Sequence, residues 1–379
     1  MSSSRLTRLE RTLPSHHYFD FEHYQRELEA LWYRGWQIVG RTDSLKVPGE
    51  YQVIDIGDQS ILVTRNDEGE LRAFHNTCRH RGSVLCSKAR GRFTAGRIVC
   101  PYHAWTYSLD GTLTNTPWRL HSGHFDESAY SLYEVGVAEW AGFLFLNLQP
   151  DSSEQFEEAI TDWSESLSGW QFETAGTGHR RQWEIACNWK VFWENFSECY
   201  HCPGIHPELS QISREFAKGI IRASDHPDWD AGGGTESVYQ SRLLPGVHTW
   251  SDDGLTNLPY FPGLNEDERR LGHNFSVLRP SGFVAAHVDF ARFGYVVPLG
   301  PEKVRFTIEW LFPRETLDDP TIDLSAPIEF IERLTAQDAR VCELNQRGLH
   351  ARRHQYGVLV GQEYLLSGFH AWVKSKLSE

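Results

Sequence analysis

The stretch Asn76–Cys86, N-T-C-R-H-R-G-S-V-L-C, and after a short gap Cys100–Tyr107, C-P-Y-H-A-W-T-Y, decide how this chain is read. They hold two Cys-plus-His pairs, Cys78 with His80 and Cys100 with His103, the second on a loop shaped by Pro101. Thiolates prefer soft iron or zinc, and neutral imidazoles suit either metal. One Cys and one His per loop, given twice, divides the ligands as a two-iron cluster requires, with both cysteines on one iron and both histidines on the other. The same four residues could hold a structural zinc, although zinc modules more often open with C-x2-C and close with H-x3-5-H.

Around these loops the apolar pattern has a period of two. Tyr51–Ile56, Ser60–Thr64 and Leu71–Asn76 read as short strands between turn signals at Gly57-Asp58 and Asn66–Gly69. Thr106–Thr114 reads as a hairpin whose Asp110-Gly111 fits a type I′ turn, and Gly142–Leu148 as a buried strand. Upstream, residues 20–34 read as a helix capped by Asp20 and ended by Gly35. Phe21, Tyr24, Leu28, Leu31 and Trp32 form its apolar face. The acidic, Ser-rich run Asp151–Glu158 marks a domain exit.

In the second half, Trp189, Phe192, Trp193, Phe196, Cys199 and Tyr200 recur at helical spacing, which predicts a helix over 189–202 broken by Pro203-Gly204. Glu194, Glu198 and His201 would share one face of it, and His206 follows the break, where the chain can turn back toward His201. Two histidines in E-x2-H-x4-H are, on their own, more ordinary as structural residues; the Cys/His loops upstream tilt them toward metal ligands. Residues 222–266 are rich in Gly and Pro, with Trp250, Tyr260 and Phe261 between, and read as a lid over a pocket or as a surface excursion. Val304–Phe312 alternates Phe306, Ile308, Trp310 and Phe312 against Arg305, Thr307 and Glu309, a half-buried antiparallel strand, with 274–278, 283–289 and 292–297 as partners. A last long helix runs from Ser325 to Gly348 with Pro327 in its first turn and Ile331, Leu334, Asp338 and Cys342 on one face.

At 379 residues the chain can bury two cores, and 40% apolar with 23% charged residues is ordinary for a globular protein. A net charge of −14 argues against nucleic acid or an anionic membrane as the main partner, while leaving room for a local basic face. No apolar run suffices for a transmembrane helix, and the N-terminus lacks the apolar core of a secretory signal. Seven cysteines do not make a disulfide framework at this length. With two on the cluster, Cys86, Cys187, Cys199, Cys202 and Cys342 are expected as reduced thiols in a cytoplasmic protein.

The run Cys78–Gly82 followed by Cys100–Trp105 resembles the Rieske signature of the Rieske non-haem iron oxygenases, and the second half carries that family's other marks. The resemblance covers nearly the whole chain. It implies an α+β protein with residues 1–35 as an N-terminal helical segment packing on the catalytic domain. Residues 36–150 would form a small all-β Rieske [2Fe-2S] domain. Residues 151–379 would form a catalytic domain whose antiparallel sheet is covered by helices in a helix-grip-like arrangement. A mononuclear Fe(II) that activates dioxygen needs two imidazoles and one carboxylate on one side. His201 and His206 supply the imidazoles. Gln337–Gly348 resembles the family's C-terminal ligand helix and nominates Asp338 as the carboxylate; on spacing alone Asp323, Glu332 or Glu343 would be nearly as good.

The resemblance also gives Glu198 a role. The family places an acidic residue three positions before the first iron histidine, where it bridges that ligand to a cluster histidine of the neighbouring subunit by accepting imidazole N–H bonds from both sides. Most ring-hydroxylating members use Asp there. Glu is similar to the branch acting on choline, glycine betaine, stachydrine (proline betaine) and carnitine, which implies a small quaternary ammonium substrate. Such a cation wants aromatic faces, for which Trp193, Tyr200, Trp250, Tyr260 and Phe261 are candidates, and the same rings would serve an aromatic substrate. The expected protein is thus a cytoplasmic, homotrimeric terminal oxygenase using O2. It would be fed by a separate NAD(P)H-dependent flavin/iron–sulfur reductase, in keeping with the lack of a Gly-rich dinucleotide fingerprint. A Rieske electron carrier would need only the first domain, and a zinc-stabilised binding module neither iron centre.

Overall fold

Alternating apolar residues in the first half build a seven-stranded antiparallel sheet. Its order is Gln37–Arg41, Phe143–Asn147, Glu134–Trp140, Leu71–His75, Gln59–Arg65, Glu50–Ile56, Arg90–Arg92. A second, three-stranded meander is made by Arg97–Val99, Thr106–Ser108 and Leu113–Asn115. Leu62 and Phe74 face each other across the large sheet and begin a core that continues into Cys78, Cys100, Trp105 and Tyr107, so apolar packing anchors the two Cys/His loops. This is a computed structural model that describes residues 5–120, 123, 125–149, 155–221, 225 and 243–378. The chain divides into two compact units, Trp32–Ala159 and Met1–Leu31 with Ile160–Glu379.

The meander's turn differs from the type I′ expected at Asp110-Gly111. Gly111 is left-handed at φ 78° while Asp110 is not. The Gly111 N–H donates to the Ser108 carbonyl at 3.1 Å and the Ser108 N–H to the Thr112 carbonyl at 2.9 Å. This is the longer hairpin loop, a tight turn closed by a left-handed glycine.

The larger unit is organised on a five-stranded antiparallel sheet in the order Ala175–Ile185, Lys303–Pro313, Ala291–Gly300, Gly282–His287, His273–Leu278. Lys303–Pro313 is more deeply set than its alternation predicts: Thr307, Glu309 and Leu311 are buried as well as Phe306, Ile308 and Trp310. A buried carboxylate is tolerated there because Glu309 accepts hydrogen bonds from the Thr177 hydroxyl at 2.9 Å and the Tyr295 hydroxyl at 3.2 Å. The helix Ser325–Leu349 packs against the helix Trp189–Asn195 and the strand Ala175–Ile185, burying Phe330, Ile331, Leu334, Cys342 and Gln346. It runs through Gly348 rather than ending there, since that glycine is not left-handed.

The N-terminal segment starts its helix where Asp20 accepts the His23 N–H at 2.7 Å, giving Phe21–Glu27 and then a wider turn, Leu28–Trp32. Phe21, expected on the apolar face, is 62% exposed, while Tyr24, Leu28 and Leu31 are buried. Fully buried Glu27 holds this segment to the Trp189–Asn195 helix, 2.6 Å from Lys190 Nζ and accepting the Trp189 indole N–H at 2.8 Å. Within 222–266, residues 222–224 and 226–242 lie outside the described residues, and the lid expectation with them; the remainder buries Trp250 and Phe261. No helix among the described residues is long and apolar enough to cross a membrane.

Candidate functional site

The two Cys/His loops are built alike. Cys78 N–H donates to the Ser83 carbonyl at 2.8 Å and receives the Gly82 N–H on its own carbonyl at 2.9 Å. Cys100 N–H likewise donates to Trp105 at 2.8 Å and receives Ala104 N–H at 3.0 Å. The chain reverses through left-handed residues, Gly82 at φ 73° and Ala104 at φ 54°. Both thiols are buried and face each other, and burial raises the Cys78 pKa. The Tyr107 hydroxyl accepts the Arg79 N–H at 3.1 Å, which leaves its own proton for Cys78 Sγ at 3.2 Å. The imidazoles lie further out. His80 stacks flat on Trp105 with centroids 4.8 Å apart, His103 stacks on Tyr102 at 3.7 Å, and the two histidine rings are 4.7 Å apart. Among the described residues the only three-residue group with ligand atoms within 4.8 Å of one another lies elsewhere. Two buried thiols with two imidazoles further out is the donor split that suits a cluster with two irons.

The second centre departs from the expected helix. Asn188 caps it by accepting the Lys190 N–H at 2.9 Å, and the helix covers only Trp189–Asn195. Beyond Phe196 the backbone is irregular up to the short helix Cys202–Ile205, where Pro203 sits in the first turn instead of breaking anything. The cause is local: the Glu198 carboxylate accepts the backbone N–H groups of Tyr200 and His201, which a continuing helix would have used itself. Glu194, predicted on the same face, points away and accepts bonds from Tyr18 at 2.5 Å and His370 at 2.8 Å.

This turn brings Glu198 Oε1 to 2.6 Å from His201 Nδ1. Across 131 residues of chain, Gln337 Oε1 accepts the His206 Nδ1–H at 2.6 Å, and the Gln337 amide donates to Glu208 at 2.8 Å. With both Nδ1 protons so engaged, both Nε2 atoms are free as ligands. They converge on Asp338 Oδ1, at 2.8 Å from His206 and 3.4 Å from His201. Burial pulls the His201 pKa down, but Asp338 and Glu198 more than offset this and carry it to about 10. Burial raises the Asp338 pKa, and the two histidines outweigh it and bring it below the usual carboxylate value. The surroundings thus favour a positive charge between these side chains, which a divalent cation would supply. The other carboxylates considered are engaged elsewhere: Asp323 is exposed and caps Ser325, Glu332 bonds His179 and Arg181, and Glu343 accepts the Ala186 N–H.

Residues 172–379 match the family described as ring hydroxylating alpha subunit, catalytic domain, and residues 35–125 match the Rieske [2Fe-2S] domain. The glycine betaine monooxygenase oxygenase subunit of Chromohalobacter salexigens is 30% identical over 91% of this chain and 81% of that protein. The chloroplastic choline monooxygenase of Beta vulgaris is 28% identical over 97% of this chain and 77% of that one. This chain belongs to the Rieske oxygenases. The fold agrees with the solved structure of a quaternary ammonium Rieske monooxygenase, described for carnitine oxidation and inter-subunit electron transfer. The TM-score is 0.72 at 21% identity, with 97% of this chain and 95% of that chain covered.

As a Rieske oxygenase the protein is an oxidoreductase that uses O2 and carries a [2Fe-2S] cluster and a mononuclear iron. The donor types fit both groups, thiols with imidazoles in one case and imidazoles with a carboxylate in the other. A cavity of about 410 Å³ opens beside His201, His206 and Asp338, with Phe216, Trp250 and Arg292 among its lining residues. Of the five aromatic residues anticipated for a substrate, Trp250 alone among the described residues lines this cavity. Trp193 is buried with its indole N–H on the Pro280 carbonyl, and Tyr200 is exposed. Sequence reasoning missed Gln337, Tyr107 and Arg292. Gln337 carried one usable signal, its place directly before the nominated ligand.

Proposed function

We propose that this Rieske oxygenase is the cytoplasmic terminal component of a multicomponent system. It would oxidise an N-methyl group of a small quaternary ammonium or betaine compound with electrons from an NAD(P)H-dependent flavin/iron–sulfur reductase. The observation that carries the substrate class is similarity to glycine betaine and choline monooxygenases along almost the whole chain, with Glu at position 198. In this reading Cys78, Cys100, His80 and His103 hold the cluster, and His201, His206 and Asp338 hold the iron. When bound there, the cluster would supply electrons and the iron would supply dioxygen activation.

Glu198 orients His201 by accepting its Nδ1–H and, in a head-to-tail homotrimer, accepts a second imidazole N–H from a cluster histidine of the neighbouring subunit. Gln337 fixes the tautomer of His206 in the same way. The rings of Phe216, Phe275 and Trp250 give the substrate cation apolar and π-faced walls and exclude water. One oxygen atom enters a C–H bond of the N-methyl group, and the other leaves as water with two electrons and two protons. The hydroxymethyl ammonium product then loses its hydroxyl proton and breaks the C–N bond, giving formaldehyde and a neutral tertiary amine.

The test is oxygen uptake by the purified protein with a surrogate reductase. Quaternary amines should accelerate uptake and release formaldehyde in step with it. Hydroxylation of a benzoate-like ring, with no response to any quaternary amine, would overturn the substrate class.

A further inference from the structure

Buried charges in the larger unit are generally answered by an opposite charge or by hydrogen bonds. Lys190 has Glu27 at 2.6 Å, and Asp289 accepts the Thr249 hydroxyl at 2.6 Å. Arg292 is the departure. It sits on the strand Ala291–Gly300, is only 9% exposed, and lines the same cavity as His201, His206 and Asp338. Its backbone belongs to the sheet ladder, but among the described residues its side chain makes no hydrogen bond and no ion pair, and its Nε is buried without a partner. Its guanidinium lies over the face of Trp250, with Cζ 4.6 Å from the ring centroid. Trp250 is itself wedged against His273 at 5.1 Å and Phe216 at 5.4 Å, so the guanidinium rests on a fixed support. Burial lowers the Arg292 pKa to about 10, and nearby Asp338 works against that fall, so the group is still a cation at neutral pH.

An unpaired buried guanidinium is costly, and its planar fork of N–H donors matches the two oxygens of a carboxylate. The cavity wall therefore carries a cation with donors unused, next to carboxylates already committed to the histidines. A quaternary ammonium group cannot satisfy Arg292; an anion attached to the same molecule can.

We propose that Arg292 is the specificity-determining anchor for a substrate carboxylate, so that the substrate is a zwitterionic betaine rather than a choline-like alcohol. This rests on the quaternary ammonium reading above. The carboxylate would seat on Arg292, and the N-methyl end would be left toward the iron ligands and the rings of Phe216 and Phe275. The reach between the two ends would then select among betaines by chain length.

The test is equilibrium binding to the anaerobic holoenzyme, followed by calorimetry. It compares glycine betaine with its neutral amide, which keeps the trimethylammonium head and removes the anion. Wild type should favour the carboxylate by at least about thirtyfold, the scale of a desolvated ion pair. Arg292→Gln should reduce that preference to about threefold or less, and Arg292→Lys should keep part of it. An unchanged cluster spectrum and iron content would report that each variant is folded. A wild-type preference near one, or a preference that survives Arg292→Gln, would overturn the anchor while leaving the quaternary ammonium reading intact. Benzoate is the third probe. If it binds in an Arg292-dependent manner while no quaternary amine binds at all, the anion site stands as an anchor but the betaine assignment falls with the substrate class.

Discussion

The loops Cys78–Gly82 and Cys100–Trp105 make their geometry from their own backbone, whereas His201, His206 and Asp338 are assembled from two parts of the chain 132 residues apart. In the first region the members of each Cys/His pair are two or three residues apart, on loops closed by their own hydrogen bonds and set on a β core. In the second, the carboxylate arrives on a helix whose position depends on packing against Trp189–Asn195 and on the N-terminal segment, where Gln346 donates to the Tyr18 carbonyl at 3.1 Å. The cluster should therefore tolerate damage to the larger unit, while the iron site should not.

Substitutions can break this contrast, beginning with the largest effect. Asp338→Ala should lose mononuclear iron and lower turnover to background, about a thousandfold or more given the scale of removing an essential group, while the visible cluster spectrum persists. Full activity in that variant would mean that the third ligand lies elsewhere. Glu198→Gln should leave both metals bound and slow turnover on the order of a hundredfold. An amide offers a single acceptor oxygen and cannot take N–H bonds at both ends. Subunit mixing sharpens this. Co-expressing a His103-defective chain with an Asp338-defective chain, each inactive alone, should restore part of the activity in mixed oligomers. No recovery would place electron transfer inside one chain.

Gln337→Leu should weaken iron binding by about tenfold or more, since His206 loses the acceptor that fixes its tautomer; iron analysis after mild chelation reads this, and the cluster should not respond. The smallest effect belongs to the other region. Tyr107→Phe removes the hydroxyl at Cys78 Sγ and should lower the cluster potential by roughly 40 mV, one net hydrogen bond converted to a one-electron couple. Redox titration would show it with iron content unchanged.

Read alone, the sequence picks out the two Cys/His loops, the β character of the first half, and His201 with His206 as a pair. Side chains two to five residues apart are constrained by chain connectivity before any tertiary contact forms. It also carried the long helix Ser325–Leu349, because its apolar face repeats over many turns. It misjudged the run after Asn195, where apolar spacing continued but the Glu198 carboxylate took the backbone donors and ended the helix. Packing settles which carboxylate meets the histidines, that Gln337 rather than an acid holds His206, and that the Arg292 side chain stands at the cavity without a partner. Asp338 and Glu332 occupy the same helix with equal chemistry, and Arg292 looks like any strand arginine. Their meaning depends on which groups the packed sheet and helices bring within a few ångströms, which residue type and local spacing do not encode.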